Sequence, residues 1–190
     1  MKRCAWVPES DALYVKYHDE EWGVPVRDDA RLFEMLTLEG AQAGLSWITI
    51  LKKRDGYRQA FMGFDPAQVA RLGARDVKRL MGDASIVRNR LKIESTINNA
   101  SAILQVQKEH DSLADFLWTI IGGAQIANRH KNHSQIQPQT ELSRRMSREL
   151  KAAGFRFVGP TICYAFMQAV GMVNDHETGC FRHAQIVDKH

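Results

Sequence analysis

The stretch LSRRMSRELKAAGFRFVGPTICYAFMQAV, residues 142–170, decides the fold class. Leu142, Met146, Leu150 and Ala153 recur at helical spacing, while Arg144, Arg145, Arg148 and Lys151 fall largely off that stripe. Gly154 is the residue type that ends helices, and Pro160 suits a first helical position. The stretch therefore reads as helix, short glycine-bounded hairpin, helix. The hairpin carries Arg156, and Val158-Gly159-Pro160 frees backbone N–H groups at a helix N-terminus. Such a terminus attracts a phosphate through donors and dipole together. Gly159 has no Cβ to hold a nucleic-acid backbone away. Spacing alone is also met by an ordinary αα-corner with a solvated basic face.

Helical periodicity recurs outward from this unit, and long strand-like alternation is absent. Asp28 and Asp29 can cap a run holding Leu32, Phe33, Leu36 and, further on, Ile48, with Gly40 and Gly44 between. Asp65-Pro66 reads as an N-cap with proline next to it, and Gly73 is placed to split the run of Val69, Leu72, Val77 and Leu80 into two short helices. Residues 86–107 carry Ile86, Ile93, Ile97, Ala100 and Leu104, and Asp111 is expected to cap a segment with Leu113, Phe116, Leu117 and Ile120. Residues 122–140 lose the pattern and read as a long polar loop. The expected class is all-α, in one domain spanning residues 1–190 with two helical lobes.

Composition bounds the partners. The 190 residues carry a formal charge of +4, a mild excess that fits an anionic partner without requiring one. Cys4, Cys163 and Cys180 are too few and too odd for a secreted disulfide framework. No signal-like or membrane-length apolar run occurs, so a cytoplasmic protein is expected.

Two pairs of metal-type ligands lie at opposite ends: Cys4 with His18, and His176 with Cys180. Together they make a Cys2His2 set of the closed tetrahedral kind, though at no standard spacing. His183 competes for the same role, and His130 and His133 read as surface residues or a stray metal site. Cys163, inside an apolar run, reads as a core thiol.

Glu39 is the most informative single residue. It lies seven after Leu32, four after Met35 and three after Leu36, on the apolar side of its own helix. A carboxylate there must be paired, hydrogen-bonded or used. Trp6, Tyr14, Tyr17, Trp22 and Trp47 crowd the same quarter of the chain. Rings beside a carboxylate suit a flat, electron-poor base. The competing reading packs the rings in the core and pairs Glu39 with Arg31 or Arg54.

The motifs RCAWV at 3–7, YHDEEWGVP at 17–25, LFEMLTLEGAQAGLSWITILKKR at 32–54 and GFRFVGPTICYAFMQAVGMVNDH at 154–176 go further. Carrying them in this order, the chain resembles the 3-methyladenine DNA glycosylase I family, bacterial enzymes of the helix-hairpin-helix glycosylase superfamily. The resemblance runs from about Arg3 to Cys180 and is poor in the 122–140 loop and in the tail after Cys180. It implies one structural zinc held by Cys4, His18, His176 and Cys180, joining the two ends of the chain. It implies a pocket in which Trp47 stacks on a flipped base and Glu39 and Tyr17 bond its edge, with Trp6, Tyr14 and Trp22 nearby. Gly44 and Leu45 would fill the gap in the duplex, and Gly154, Arg156 and Gly159 would grip phosphates. The implied partner is double-stranded DNA bearing alkylated bases. The implied products are free 3-methyladenine and an abasic site, released by a monomeric, monofunctional glycosylase without lyase activity. Asp175, next to His176, is assigned no catalytic role. Two other readings stand beside this: a zinc-stapled module that binds distorted duplex, and a metal-dependent hydrolase built on the same four ligands.

Overall fold

The computed structural model describes residues 1–186, so the last four positions of the expected 1–190 domain lie outside the described residues. Among them, nine α-helices follow one another: α1 (Ala12–Glu20), α2 (Asp29–Gln42), α3 (Trp47–Ala60), α4 (Pro66–Val69), α5 (Ala74–Met81), α6 (Arg90–Glu109), α7 (Leu113–Ile120), α8 (Glu141–Ala152) and α9 (Pro160–Ala169).

Local chemistry explains most boundaries. Asp28 accepts from the Arg31 N–H to open α2, and Asp65 accepts from Ala67 and Gln68 to open α4, with Pro66 behind it. Gly73 separates α4 from α5. Thr140 and Ser143 bond each other's backbone N–H groups at the start of α8. Asp111 does not cap α7 as its position suggested. Ser112 does, accepting from the Asp115 N–H, while Asp29 accepts from the Leu113 and Ala114 N–H groups at 2.9 Å each. A carboxylate from α2 thus satisfies the orphan donors of α7.

The class is mainly helical, not purely so. Within the polar 122–140 segment, β1 (Ile126–Ala127) pairs parallel with β2 (Val173–Asn174), and a single 3-10 turn covers His133–Gln135. The expected loop is therefore tethered to the strand that ends two residues before His176.

One continuous buried cluster links the helices. Phe33 meets Phe64 edge-on with centroids 5.4 Å apart, and Trp118 donates to the Val26 carbonyl at 2.9 Å. Between α2 and α3 lies a charged network with buried Glu34 and Arg54 at its centre. Arg54 Nε bonds Glu34 Oε1 at 2.6 Å, Arg31 bridges Glu34 and Glu21, and Arg58 also reaches Glu34. Burial pushes the Glu34 carboxyl up, but the Arg54 and Arg58 hydrogen bonds outweigh it and hold the group below its ordinary value. Gly171 adopts φ +69°, and a Cβ there would fall 2.3 Å from the Val24 carbonyl carbon, so only glycine lets the end of α9 meet residues 24–25.

α8 and α9 pack against each other, and α9 packs against α2. That second contact brings the carboxylate side of α2 beside α9. The chain ends also meet: Phe181 N–H donates to Lys2 O at 3.0 Å and Ala5 N–H to Glu177 Oε1 at 3.2 Å.

Candidate functional site

α2 places Glu39 on its inward side, as the spacing predicted, and the residue is only 5% exposed. Its carboxylate borders a cavity of about 290 Å³. α1 contributes Tyr14 and Tyr17, the first residue of α3 contributes Trp47, and the flanking loops contribute Trp6 and Trp22. All five rings named from the sequence are brought together. Tyr17 and Trp47 lie 5.3 Å apart at 52°, and Trp6 meets Trp22 edge-on at 5.0 Å. The cavity size and its aromatic lining suit a single planar base.

The partner expected for Glu39 in the core-packing reading is absent. Arg31 and Arg54 are committed to Glu21 and Glu34, and among the described residues Glu39 makes no hydrogen bond or ion pair. Burial pushes its carboxyl up to about 8. Burial, then the Glu39 charge, also drives the Tyr17 phenol up. The Trp47 indole Nε1 is buried and has no partner among the described residues. An unpaired acceptor and an unpaired donor therefore border one ring-lined cavity, an arrangement that costs stability unless a ligand completes it.

A second cavity of about 320 Å³ adjoins the first, sharing Glu39, Gln42 and Ala165 as wall. Its far side is the turn between α2 and α3, with Gly44 and Leu45, and the first turn of α9, with Thr161 and Ile162. Gly44 holds φ +81° with open space where a Cβ would be, and Leu45 is 41% exposed. Gly154, Arg156 and Gly159 stand on the neighbouring α8–α9 turn and do not line this groove.

Sequence reading missed four cavity walls: Gln42, Ala165, Gln168 and His133. His133 was placed on the surface or in a stray metal site. It is exposed, as the surface reading expects, and the tether of the 122–140 segment also sets it beside the cavity. Gln168 is held by Asp175, which accepts from Gln168 Nε2 at 2.8 Å, Tyr164 OH at 2.6 Å and Asn128 Nδ2 at 2.6 Å. No local signal marks these contacts.

Cys4, His18, His176 and Cys180 are all buried, with ligand atoms within 4.8 Å of one another, and could hold a metal ion. His176 directs Nδ1 at both sulfurs, at 3.4 and 3.5 Å, while its Nε2 lies 3.0 Å from the Trp22 carbonyl. His18 directs Nε2 at Cys180, while its Nδ1 lies 2.7 Å from Asp19, itself clasped by Arg3. Each imidazole thus has an oxygen acceptor behind it, the support that metal-binding histidines use. The hydrogen bond with Cys4 lowers the Cys180 thiol despite burial, with His176 and His18 adding to the effect. His183 takes no part; its Nε2 lies 2.8 Å from the Asn128 carbonyl. Trp22 and Trp6 pack on these imidazoles, so cluster and cavity share walls.

The family model described as methyladenine glycosylase matches residues 6–183. The chain belongs to the methyladenine glycosylase family. Within it, the chain is 51% identical over 180 residues to DNA-3-methyladenine glycosylase 1 of Escherichia coli (strain K12), covering 95% of this chain and 96% of that protein. The fold superposes on a crystal structure of 3-methyladenine DNA glycosylase I with a TM-score of 0.92 at 49% identity, covering 95% of this chain and 98% of that one. A further family structure, solved in complex with 3-methyladenine, gives a TM-score of 0.91 at 36% identity over 95% of this chain and 96% of that one.

Proposed function

We propose that this protein excises 3-methyladenine from alkylated DNA by hydrolysing the N-glycosidic bond and leaving an abasic site. The observation that carries the reading is a buried, unpaired Glu39 in a ring-lined cavity of base size. A relative in this family has been solved in complex with 3-methyladenine, which names the ligand class.

The chemistry suits such a site. N3-methylation leaves the base cationic while it is bonded to the sugar, so it departs as a neutral molecule and needs little protonation. Water adds its oxygen to the sugar C1′, the C1′–N9 bond breaks toward the base, and the proton of water is released. The protein's task is selection and extraction. Flipping costs a few kcal/mol and is cheapest for a poorly paired base. Ionised Glu39 favours the cationic lesion over neutral adenine, Trp47 stacks on it, and Glu39 and Tyr17 bond its edge. Gly44 and Leu45 occupy the gap left in the duplex. The α8–α9 unit acts as a helix-hairpin-helix phosphate grip through Gly154, Arg156 and Gly159.

The metal reading is one structural zinc on Cys4, His18, His176 and Cys180. Two thiolates and two imidazoles suit it, and four protein ligands leave no position for water, which argues against the hydrolase alternative. A pure duplex-binding module has no use for an unpaired carboxylate facing a cavity.

The deciding experiment is base release from methylated DNA by purified, metal-replete protein. Free 3-methyladenine is the expected product, and its absence sinks the reading.

A further inference from the structure

α6 carries polar side chains that neither the cavity nor the ligand cluster uses. α2 stops at Gln42 and its cap, Ala43, makes no backbone capping bond. The Lys92 ammonium donates to the Ala41 and Ala43 carbonyls at 2.7 Å each. A cation there answers both the orphan carbonyls and the negative end of the helix dipole. Burial lowers the Lys92 ammonium from its ordinary value, and it forms no ion pair with a described carboxylate. Seven residues on, Asn99 is 4% exposed. Its side chain accepts from Arg156 N–H at 2.8 Å and donates to Arg156 O at 3.0 Å. Asn98 donates to Gly154 O at 2.8 Å.

We infer that α6 is a template that sets the separation of the two duplex-engaging turns, with Lys92 and Asn99 as its positioning residues. Lys92 holds the end of α2 from which Gly44 and Leu45 project. Asn99 holds the backbone of the turn that carries Gly154 and Arg156. Residues seven apart share a helix face and lie about 10 Å apart along the axis. One rigid element therefore carries both anchors. A gap-filling turn and a phosphate grip must meet the same duplex together, and misplacing one by about 1 Å costs on the order of a hundredfold. The inference rests on the proposed glycosylase reading, since it assigns these turns to DNA.

The test compares wild type with Lys92→Met, which keeps the side-chain stem and removes the ammonium, and Lys92→Arg, which restores donors. Three quantities are read: single-turnover release of 3-methyladenine from duplex, affinity for free 3-methyladenine, and the fluorescence rise of 2-aminopurine placed beside the lesion. Lys92→Met is expected to slow duplex excision by about tenfold or more and to flatten the fluorescence rise. Its affinity for the free base stays within about twofold of wild type, and Lys92→Arg recovers much of both losses. Wild-type duplex kinetics in Lys92→Met overturn the proposal. So does a parallel loss of free-base binding, which marks a general structural role. If Lys92→Met does not fold, Asn98→Ala, on a less buried contact, must show the same separation of duplex excision from free-base affinity. A wild-type protein that releases no base at all would instead indict the glycosylase reading.

Discussion

Glu39 is a buried acid whose charge has no counterpart among the described residues, and its titration is its signature. Its carboxyl stands at about 8 against an ordinary 4.5. Between those values the native protein holds a proton that the unfolded chain has lost, so stability falls as pH rises across that window. Glu39→Gln is expected to flatten that slope in denaturant titrations run from pH 4.5 to 8. Catalysis runs the other way. If the ionised carboxylate selects the cationic lesion, kcat/KM of wild type rises toward about 8 and then levels, because kcat/KM follows the free enzyme's groups. The Gln variant should lose that limb, with excision weakened more than duplex binding. A wild-type profile flat from about pH 6 to about 8 would remove Glu39 from the selection step.

At the scale of elements, the α8–α9 turn offers a clean separation of fold from binding. Gly159 has φ −64°, within reach of any residue, and open space where a Cβ would stand. Gly159→Glu should therefore fold with an unchanged melting temperature while setting a negative charge against incoming phosphate. Duplex affinity is expected to drop about tenfold or more, with free-base affinity unaltered. Gel-shift and calorimetric titrations distinguish the two. Helix limits were legible wherever the signal is local: Asp28, the Asp65-Pro66 pair and Gly154 act within a turn of themselves. The start of α7 was legible only in part: Ser112 caps it locally, but the Leu113 and Ala114 donors are met by Asp29, 84 residues away from Leu113. The short β1–β2 pair was hidden, since two-residue strands carry no period to detect.

For the whole molecule, the four-ligand cluster ties residues 4 and 18 to residues 176 and 180, closing nearly the full chain into one loop. A metal bound only by the native state raises its stability by mass action, by about 4 kcal/mol at a thousandfold excess over Kd. Chelation of the purified protein should lower the melting temperature by about 10 °C. Cys180→Ser should do the same and abolish stoichiometric metal on elemental analysis. A variant that keeps full metal would discredit this ligand set. The rings of Trp6 and Trp22 touch the ligand imidazoles, so metal loss is also expected to weaken free-base binding.

The sequence by itself determined the helical class, the sides of the helices and the residue types fit for a cation, a base and a phosphate. These depend on spacing within an element or on motifs read in order, and both are properties of the linear chain. Only the tertiary structure decided how those residues are used. Glu39 is left open to a ligand because Arg31 and Arg54 are consumed by Glu21 and Glu34. His133 reaches the cavity because β1 docks beside β2. The α2–α3 and α8–α9 turns are both held from one helix, by Lys92 and Asn99. Each of these is a choice among partners far apart in the chain. The close packing of the core settles that choice, because a buried charge, donor or acceptor must find the partner that packing brings to it.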